Sequence, residues 1–327
     1  MNSPSLLAEN FLRLMKAAIS DGDKIIFGDY VMPQYSNDAV PVQMCAAALT
    51  NLDIIAAAGK HYLSPKTFPA VAGNEGVARL PDGQRRYFPV ASLVAPFGSM
   101  ADHSLGRVEK SLPVLPELPD ACAAAVGNAG LAGWLPFSWQ ARLQPGETVL
   151  ILGATGASGL IAVAAARLLG AGRIIAAGRN PKALAKAKEM GADITIDIDD
   201  NEGLTTALKD ASVKDVDVMV DYLNGPATTI ALNFAGEGGR LVQIGSALGP
   251  NVCAPASLLR KQNLSIMGFA YYHAPYDKQV EAYLALSHAV LDGAVFIDLE
   301  EMPLSNIEQA WTRQKSERGP RLVLIPD

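Results

Sequence analysis

The sequence predicts an α/β protein in which a doubly wound parallel sheet is inserted between two β-rich parts of the same chain. Three observations predict this fold. A strand-like run ends in a glycine turn at residues 148–159, β/α alternation continues from there to residue 269, and short apolar runs separated by Gly and Pro precede the turn.

The central unit begins with an apolar, β-branched run of strand length at residues 148–152, which stops at the glycine turn of residues 153–159. Residues 160–169 are rich in Ala and Leu and close on Gly170, as a helix with a glycine stop does. A second strand follows at residues 173–178. The unit therefore reads strand, turn, helix and strand.

The glycine turn has the spacing G-x-x-G-x-x-G, a variant of the dinucleotide-binding pattern G-x-G-x-x-G. Gly153 lets the chain reverse, Gly156 lets a pyrophosphate approach the backbone, and Gly159 lets the helix pack close to the strand. The alternative is a purely structural glycine turn. The dinucleotide interpretation predicts these binding residues: Thr155, Gly156, Ala157, Ser158 and Gly159.

The end of the second strand indicates which dinucleotide binds. NAD sites usually carry an acidic residue there, whereas this chain has Gly178 followed by Arg179. The missing carboxylate removes repulsion of a 2′-phosphate, and a guanidinium can bind that phosphate through two hydrogen bonds. We therefore expect NADPH, with Lys182 adding charge nearby. The alternative is that these cations are only a solvated surface.

Composition limits the possible partners. The chain has 327 residues, half of them hydrophobic, and a net charge of −6, which predicts two domain-sized cores and argues against nucleic acid or an anionic membrane as partner. Neither a signal peptide nor an apolar run of bilayer length is recognisable, so we expect a cytoplasmic protein. Cys45, Cys122 and Cys253 are far apart and are predicted to be buried thiols.

The segments around the central unit are predicted from periodicity and turn residues. We expect a small barrel or rolled sheet in the first part of the chain, and the three prolines at 113, 116 and 119 suggest a boundary near it. The predicted domains are residues 1–122, 123–270 and 271–327, the last returning to the first. The predicted strands are 24–30, 40–48, 87–96, 194–198, 216–223, 240–245, 264–269, 295–299 and 321–326. The predicted helices are 3–18, 180–190, 204–209, 226–234, 278–291 and 305–315.

Several stretches together resemble the medium-chain dehydrogenase/reductase superfamily, specifically its zinc-free quinone oxidoreductase-like branch. The similarity runs from about Met15 onward and implies a GroES-like catalytic domain made of both chain ends, a Rossmann domain between them, and a homodimer. The stretches that carry it are residues 42–53, Gly-Asn-Glu-Gly at 73–76, residues 115–119, 145–150, the glycine turn, and 303–326.

The resemblance also implies what is missing. Zinc alcohol dehydrogenases of this superfamily place a cysteine and a histidine ligand where this chain has Thr50 and Asn74, neither of which offers a thiolate or an imidazole. The cysteine-rich structural zinc lobe is absent as well. We therefore expect no metal, so hydrogen-bond donors must polarise the substrate.

By resemblance, quinone reductases carry tyrosines just beyond Asp53, but the first of these falls on Ile55 here and the second near His61 or Tyr62. The alternative interpretation of His61 is a surface or turn histidine without a catalytic role. The candidate catalytic residues are Thr50, Asn51, His61 and Tyr62.

The carboxyl ends of the later strands supply the remaining candidate cofactor residues, since ligands bind at that edge of an open sheet. Each has an alternative as a turn or a packing residue, including Asn128, which could belong to a turn with Gly127. By resemblance, the candidates at these strand ends that lie along the ribose and the nicotinamide are Tyr222, Gly245, Ser246 and Phe269. Asn128, in the segment that leads into the predicted Rossmann domain, is a further candidate at the nicotinamide end.

The predicted function is transfer of hydride from NADPH to a quinone or an α,β-unsaturated carbonyl, without zinc. The partner is then a small molecule. Two alternatives remain open: an alcohol dehydrogenase of the same fold, and a dinucleotide-binding protein without turnover.

Overall fold

A computed structural model describes residues 13–198, 201–316 and 319–327. The chain divides into two compact units. The first joins the described residues up to Ser111 with those from Glu300 onward, and the second is Leu112–Leu299. The predicted insertion of one unit between two parts of another is therefore confirmed.

The described strands are β1 (Leu14–Ser20), β2 (Ile25–Val31), β3 (Val40–Ala48), β4 (Ala70–Val71), β5 (Gly76–Arg79), β6 (Arg85–Phe88), β7 (His103–Gly106), β8 (Leu112–Pro113), β9 (Thr148–Leu152), β10 (Arg173–Gly178), β11 (Ile194–Asp197), β12 (Val216–Asp221), β13 (Ala235–Gln243), β14 (Ser265–Gly268), β15 (Leu299–Pro303) and β16 (Arg321–Ile325). The described α-helices are α1 (Asn51–Ala57), α2 (Asp120–Leu135), α3 (Ala157–Leu168), α4 (Pro181–Glu189), α5 (Asn201–Asp210), α6 (Pro226–Leu232), α7 (Ala256–Gln262), α8 (Tyr276–Leu291) and α9 (Ile307–Ser316).

The second unit is built on a six-stranded sheet with the order β11-β10-β9-β12-β13-β14. Every pairing in it is parallel, which confirms the predicted doubly wound sheet. The order reverses between β9 and β12, and in such sheets the carboxyl ends of the strands at the reversal form the ligand site. The glycine turn follows β9 and therefore lies at this point.

Small side chains let the helices of the second unit pack closely. Almost every residue of α2 is buried, and α2 packs on both α3 and α8. A Cβ at Gly133 of α2 would lie 2.9 Å from Ile161 Cγ2 and 3.0 Å from the Ser158 carbonyl oxygen of α3. Only the hydrogen atom of a glycine fits between the two helices there. The N-terminal end of α3 is held in place by this contact.

The position of α8 sets the end of the second unit. Tyr283 is fully buried and its hydroxyl donates to the Ala123 carbonyl of α2 at 2.8 Å. The helix α8 therefore belongs to the second unit, although the predicted domain boundary assigns residues after 270 to the other domain. None of the helices in the described ranges is long and apolar enough to cross a bilayer.

The first unit is antiparallel and β-rich. β1 pairs with β2 and β4, and β3 pairs with β5, β7 and β16, so the last strand of the chain joins the sheet of the first part. Its main core combines residues from both ends of the chain, including Leu49, Met302, Ile307 and Leu324. Burial of these side chains stabilises the return of the C-terminal segment to this unit.

Four predictions about local structure are wrong. Most of the predicted strand 87–96 is absent, because β6 ends at Phe88 and residues 89–96 belong to no strand. The predicted helix at 3–18 is contradicted over its described part, because residues 14–20 form β1 with largely alternating burial and an antiparallel partner in β2, while residues 3–12 lie outside the described ranges. Residues 295–298 are not a strand, since β15 starts at Leu299. The thiols are not buried as predicted: Cys45 and Cys122 are half-buried and Cys253 is exposed.

Candidate functional site

The glycine turn after β9 is tightly packed at its two ends. Gly153 has φ +86°, a conformation that favours glycine, and the amides of Gly153 and Ala154 both donate to the Ala177 carbonyl of β10 at 2.9 Å. A Cβ at Gly159 would lie 2.2 Å from the Gly153 carbonyl oxygen. The start of α3 is therefore pressed against the end of β9.

The middle of the same turn is open. A Cβ at Gly156 would have no neighbour nearer than 3.6 Å, and Gly156 and Ala157 are exposed. Gly156 is the N-cap of α3, and no side chain caps the helix there. The first amides of α3 and its dipole thus face a space that an anion can fill, which fits the pyrophosphate of a dinucleotide.

The space at the end of β10 is closed to a side chain. A Cβ at Gly178 would lie 2.4 Å from Thr155 Cγ2 and 2.7 Å from Thr155 Oγ1. A carboxylate at this position would therefore clash with the turn. Arg179 and Lys182 are exposed, and neither side chain forms a hydrogen bond or ion pair within the described ranges. Both cations remain available to a phosphate.

The loops after β9, β12 and β13 are in contact. A Cβ at Gly153 would lie 3.1 Å from Tyr222 Cβ, and one at Gly245 would lie 2.2 Å from the Tyr222 carbonyl oxygen. The Tyr222 hydroxyl donates to the Ala132 carbonyl at 2.9 Å, and burial raises the pKa of Tyr222 well above its usual value. This phenol holds the loop on α2 and is poorly suited to proton transfer.

Asp221, which sequence reasoning missed, shapes the loop that contains Tyr222. It is fully buried and accepts hydrogen bonds from the amides of Leu223 at 2.8 Å and Asn224 at 2.9 Å, and from the Thr228 hydroxyl. Burial raises the pKa of Asp221, and these donors partly offset that effect. The sequence signal was an Asp at the end of a strand, followed three residues later by Asn224-Gly225, a turn pattern.

The other predicted cofactor residues occupy the second unit at varied exposure. Ser246 is exposed and Gly245 half-buried after β13, and the Phe269 amide donates to the Gln243 carbonyl at 2.9 Å. Asn128 lies half-buried inside α2, so its alternative interpretation as part of a turn with Gly127 is wrong.

The first unit contains a cavity that is partly open to solvent, and all of its lining residues belong to that unit. The lining is mainly apolar, with polar side chains only at Ser20, Asp53 and Asn74. An apolar pocket with a few converging polar groups is typical of a small-molecule site.

Asp53 joins the start of α1 to the loop before β5. Its Oδ2 accepts from the Thr50 amide at 2.8 Å and from Thr50 Oγ1 at 2.7 Å, and its Oδ1 accepts from the Asn74 amide at 2.9 Å and from Asn74 Nδ2 at 2.7 Å. Burial raises the pKa of Asp53, while these hydrogen bonds favour its charged form.

The four candidate catalytic residues do not line this cavity. The Thr50 hydroxyl is engaged in the capping box of α1, and Asn51 is exposed, its Oδ1 accepting from Gln314 Nε2 at 2.9 Å. His61 and Tyr62 stack with ring centroids 3.9 Å apart, and Tyr62 is 76% exposed.

His61 has local partners that explain its position. Its Nδ1 accepts from the Leu63 amide at 3.2 Å and its own amide donates to Ser64 Oγ at 3.0 Å, which stabilises the turn after α1. Burial lowers the pKa of His61, so the neutral ring is favoured at neutral pH. The adjacent residues Leu63 and Pro65 do line the cavity.

The side chain after Asn74 has a structural role. Glu75 is buried and accepts hydrogen bonds from the Tyr87 hydroxyl and, at 3.0 Å, from Arg321 Nη2. Arg321 opens β16, so this buried ion pair joins the two parts of the first unit. Removing either partner would leave an uncompensated buried charge.

The donor set at the positions of the family's zinc ligands does not suit zinc. Thr50 and Asn74 both bond to Asp53, and in the described ranges no group of three or more His, Cys, Asp or Glu side chains could hold a metal ion.

The strand order, the open glycine turn and the closed end of β10 define a dinucleotide-binding α/β unit attached to a β-rich unit with an apolar cavity. Residues 157–288 match the family described as zinc-binding dehydrogenase. A similar curated protein is prostaglandin reductase 1 from Bos taurus, 27% identical over 68% of this chain and 70% of that protein. Quinone oxidoreductase-like protein 2 from Mus musculus is 31% identical over 57% of this chain, which spans about half of that protein's length.

A similar solved structure is the quinone oxidoreductase from Thermus thermophilus, described alone and in its complex with NADPH. It has a TM-score of 0.78, is 25% identical, and the match covers 95% of this chain and 100% of that one. The chain is therefore similar to proteins of the medium-chain dehydrogenase/reductase superfamily, and its fold has the Rossmann unit and the GroES-like unit of quinone oxidoreductase structures.

Proposed function

We propose that this protein is an NADPH-dependent, zinc-independent reductase of quinones or α,β-unsaturated carbonyls. The observation that carries the proposal is the open cradle at Gly156 next to a strand end at Gly178 that has no room for a carboxylate. The relatives support the direction of the chemistry, since their names describe a prostaglandin reductase and quinone oxidoreductases, one of them complexed with NADPH.

In this proposal the turn residues hold the pyrophosphate through backbone amides, and Arg179 and Lys182 bind the 2′-phosphate. NADPH, when bound, supplies a hydride. The residues proposed to lie along its ribose and nicotinamide are Asn128, Tyr222, Gly245, Ser246 and Phe269. The hydroxyl of Tyr222 is already bonded to Ala132, so its part is to shape the loop.

Zinc independence rests on the chemistry of the donors. Thr50 and Asn74 offer a hydroxyl and an amide, both bonded to Asp53, where the zinc enzymes of the superfamily offer a thiolate and an imidazole. By resemblance to the quinone oxidoreductase-like branch, we also propose a homodimer.

The test is an NADPH oxidation assay against quinones, enones and aldehydes in parallel, repeated with NADH, on protein purified without chelator and analysed for metals. We expect turnover with quinones or enones, a preference for NADPH, and no stoichiometric zinc. Turnover of alcohols with bound zinc would instead identify an alcohol dehydrogenase. Tight NADPH binding with no oxidation across the panel would identify a non-catalytic binding protein.

A further inference from the structure

We propose that Asn74 is the polar side chain that binds the substrate carbonyl oxygen in the cavity of the first unit, and that Asp53 positions its amide. The inference rests on the proposed reductase function and names the substrate contact of that site. Asn74 was not among the catalytic candidates from the sequence, and only the hydrogen bonds of the folded unit distinguish it.

Two of the three polar side chains on the cavity wall are fully engaged. The Ser20 hydroxyl donates to the Ala57 carbonyl at 2.9 Å and accepts from the Gly22 amide at 3.1 Å. Asp53 accepts four hydrogen bonds, two on each oxygen. A carboxylate has about four lone-pair sites, so Asp53 has little capacity left for a substrate.

Asn74 is the exception among these three. Its Nδ2 donates to Asp53 Oδ1 at 2.7 Å. Because a carboxylate only accepts, the nitrogen of the amide must face Asp53, which fixes the orientation of the side chain. One N–H of Nδ2 and the Oδ1 oxygen then remain, and neither bonds to any residue in the described ranges. Asn74 lines the cavity and is half-buried, so this amide edge is accessible to a ligand there.

A donor at this place suits the proposed reaction. When a hydride adds to the β-carbon of an enone, the π electrons shift to give an enolate oxygen, and a proton from solvent then adds at the α-carbon to give the saturated ketone. With a quinone, the electron pair likewise moves onto oxygen, and a proton from solvent completes the hydroquinone. A preorganised N–H stabilises the developing negative charge on that oxygen. The remaining N–H can donate to the carbonyl oxygen of the acceptor or of a ketone product, and the amide oxygen can accept from the hydroxyl of a hydroquinone product. Asn74 itself transfers no proton.

Asp53 gives this amide its rigidity. The aspartate is buried and is held by the backbone and hydroxyl of Thr50 at the start of α1. The Asn74 backbone amide and side chain are both tied to one carboxylate oxygen. The donor is thus held by a buried charge on a helix terminus, and a rigid support of this kind is what an active-site donor requires.

The test uses Asn74→Leu, which keeps similar volume but has no polar atom, with menadione and methyl vinyl ketone as acceptors. We expect kcat/KM to fall by at least about tenfold for both, as when a donor to a developing oxyanion is removed. The Kd of NADPH, measured by fluorescence, should stay within about twofold, because the turn that holds it is unchanged. The Kd of menadione, from tryptophan quenching of the cofactor-free protein, should rise.

Two further variants separate binding from folding. Asn74→Ser keeps a hydroxyl that can donate to Asp53 but lacks the amide edge, so it should lose as much kcat/KM as Asn74→Leu while folding even if the leucine variant does not. Ile307→Val removes a methylene from the buried core of the first unit, at a residue that does not line the cavity, and should keep wild-type kcat/KM despite a lower Tm.

Wild-type kcat/KM in both Asn74 variants, or an equal loss in Ile307→Val, would overturn the role of Asn74. If the wild-type protein fails to oxidise NADPH with any of the acceptors tested, that result would overturn the proposed function instead. In that case the menadione Kd still tests Asn74: equal affinity in wild type and Asn74→Ser contradicts the contact, and weaker affinity supports it.

Discussion

Substitution by alanine should affect different properties at two glycines of the same turn: NADPH affinity at Gly156 and folding stability at Gly159. Gly156→Ala adds a methyl group whose nearest neighbour is 3.6 Å away, an ordinary contact, at a residue with φ −84°. Gly159→Ala adds a methyl group 2.2 Å from the Gly153 carbonyl oxygen and 2.7 Å from Ala154 Cα. Both neighbours of the second methyl group are backbone atoms, which cannot rotate aside.

The magnitudes follow from these distances. Gly156→Ala should lower the free energy of unfolding by about 0.5–1 kcal/mol, because Ala is a poorer N-cap residue than Gly. It should weaken NADPH binding about tenfold to a hundredfold, because a charge-assisted hydrogen bond to phosphate contributes about 1.5–3 kcal/mol. Gly159→Ala should lower the free energy of unfolding by about 1–3 kcal/mol, as overpacking does, and lower Tm by several degrees.

The assay is a thermal melt of both variants with and without NADPH, together with a fluorescence titration of NADPH. Gly156→Ala should melt only slightly below the wild type without NADPH and lose most of the upward shift of Tm that NADPH causes. Gly159→Ala should melt lower under both conditions. Wild-type NADPH affinity in Gly156→Ala would refute the inferred position of the pyrophosphate.

Three further predictions concern charges and packing. Arg179→Ala should weaken NADPH several-fold to about a hundredfold and leave NADH unaffected in titrations, since only NADPH carries the 2′-phosphate; an unchanged preference would contradict the role of this exposed arginine. Gly178→Asp alone should lower Tm, because the new Cβ meets the Thr155 side chain. The double variant Gly178→Asp with Thr155→Gly should recover Tm and shift the cofactor preference toward NADH. Equal Tm values for the single and the double variant would show that the turn can move aside. The hydrogen bond from Arg313 lowers the pKa of Glu300, so this pair stabilises the fold above pH 4.5 and the effect is lost as the pH falls through the lowered value. The Tm difference between wild type and Glu300→Gln should therefore shrink on acidification in melts across that range, and a constant difference would contradict the assignment.

The sequence alone was sufficient to predict the nucleotide unit. Its central strand, β9, is mainly apolar, the helix α3 is rich in Ala, and the turn between them is marked by glycines at fixed spacing, so these elements are encoded by neighbouring residues. The predicted parallel sheet and the helix after Gly156 were confirmed. The predicted return of the C-terminal segment to the first domain agrees with the position of β16, which lies in the sheet next to β3.

Contacts between distant residues decided the rest. Residues 14–20 carry apolar side chains that also suit a helix, and only pairing with β2 makes them a strand. Asp53 and Asn74 are 21 residues apart, so no local pattern indicates that the Asp53 carboxylate orients the Asn74 side-chain amide. In the same way, Thr155 fills the space beside Gly178 only after β9 and β10 have paired. Local propensity encodes helices, strands and turns, whereas the direction in which a polar group points depends on what folding brings beside it.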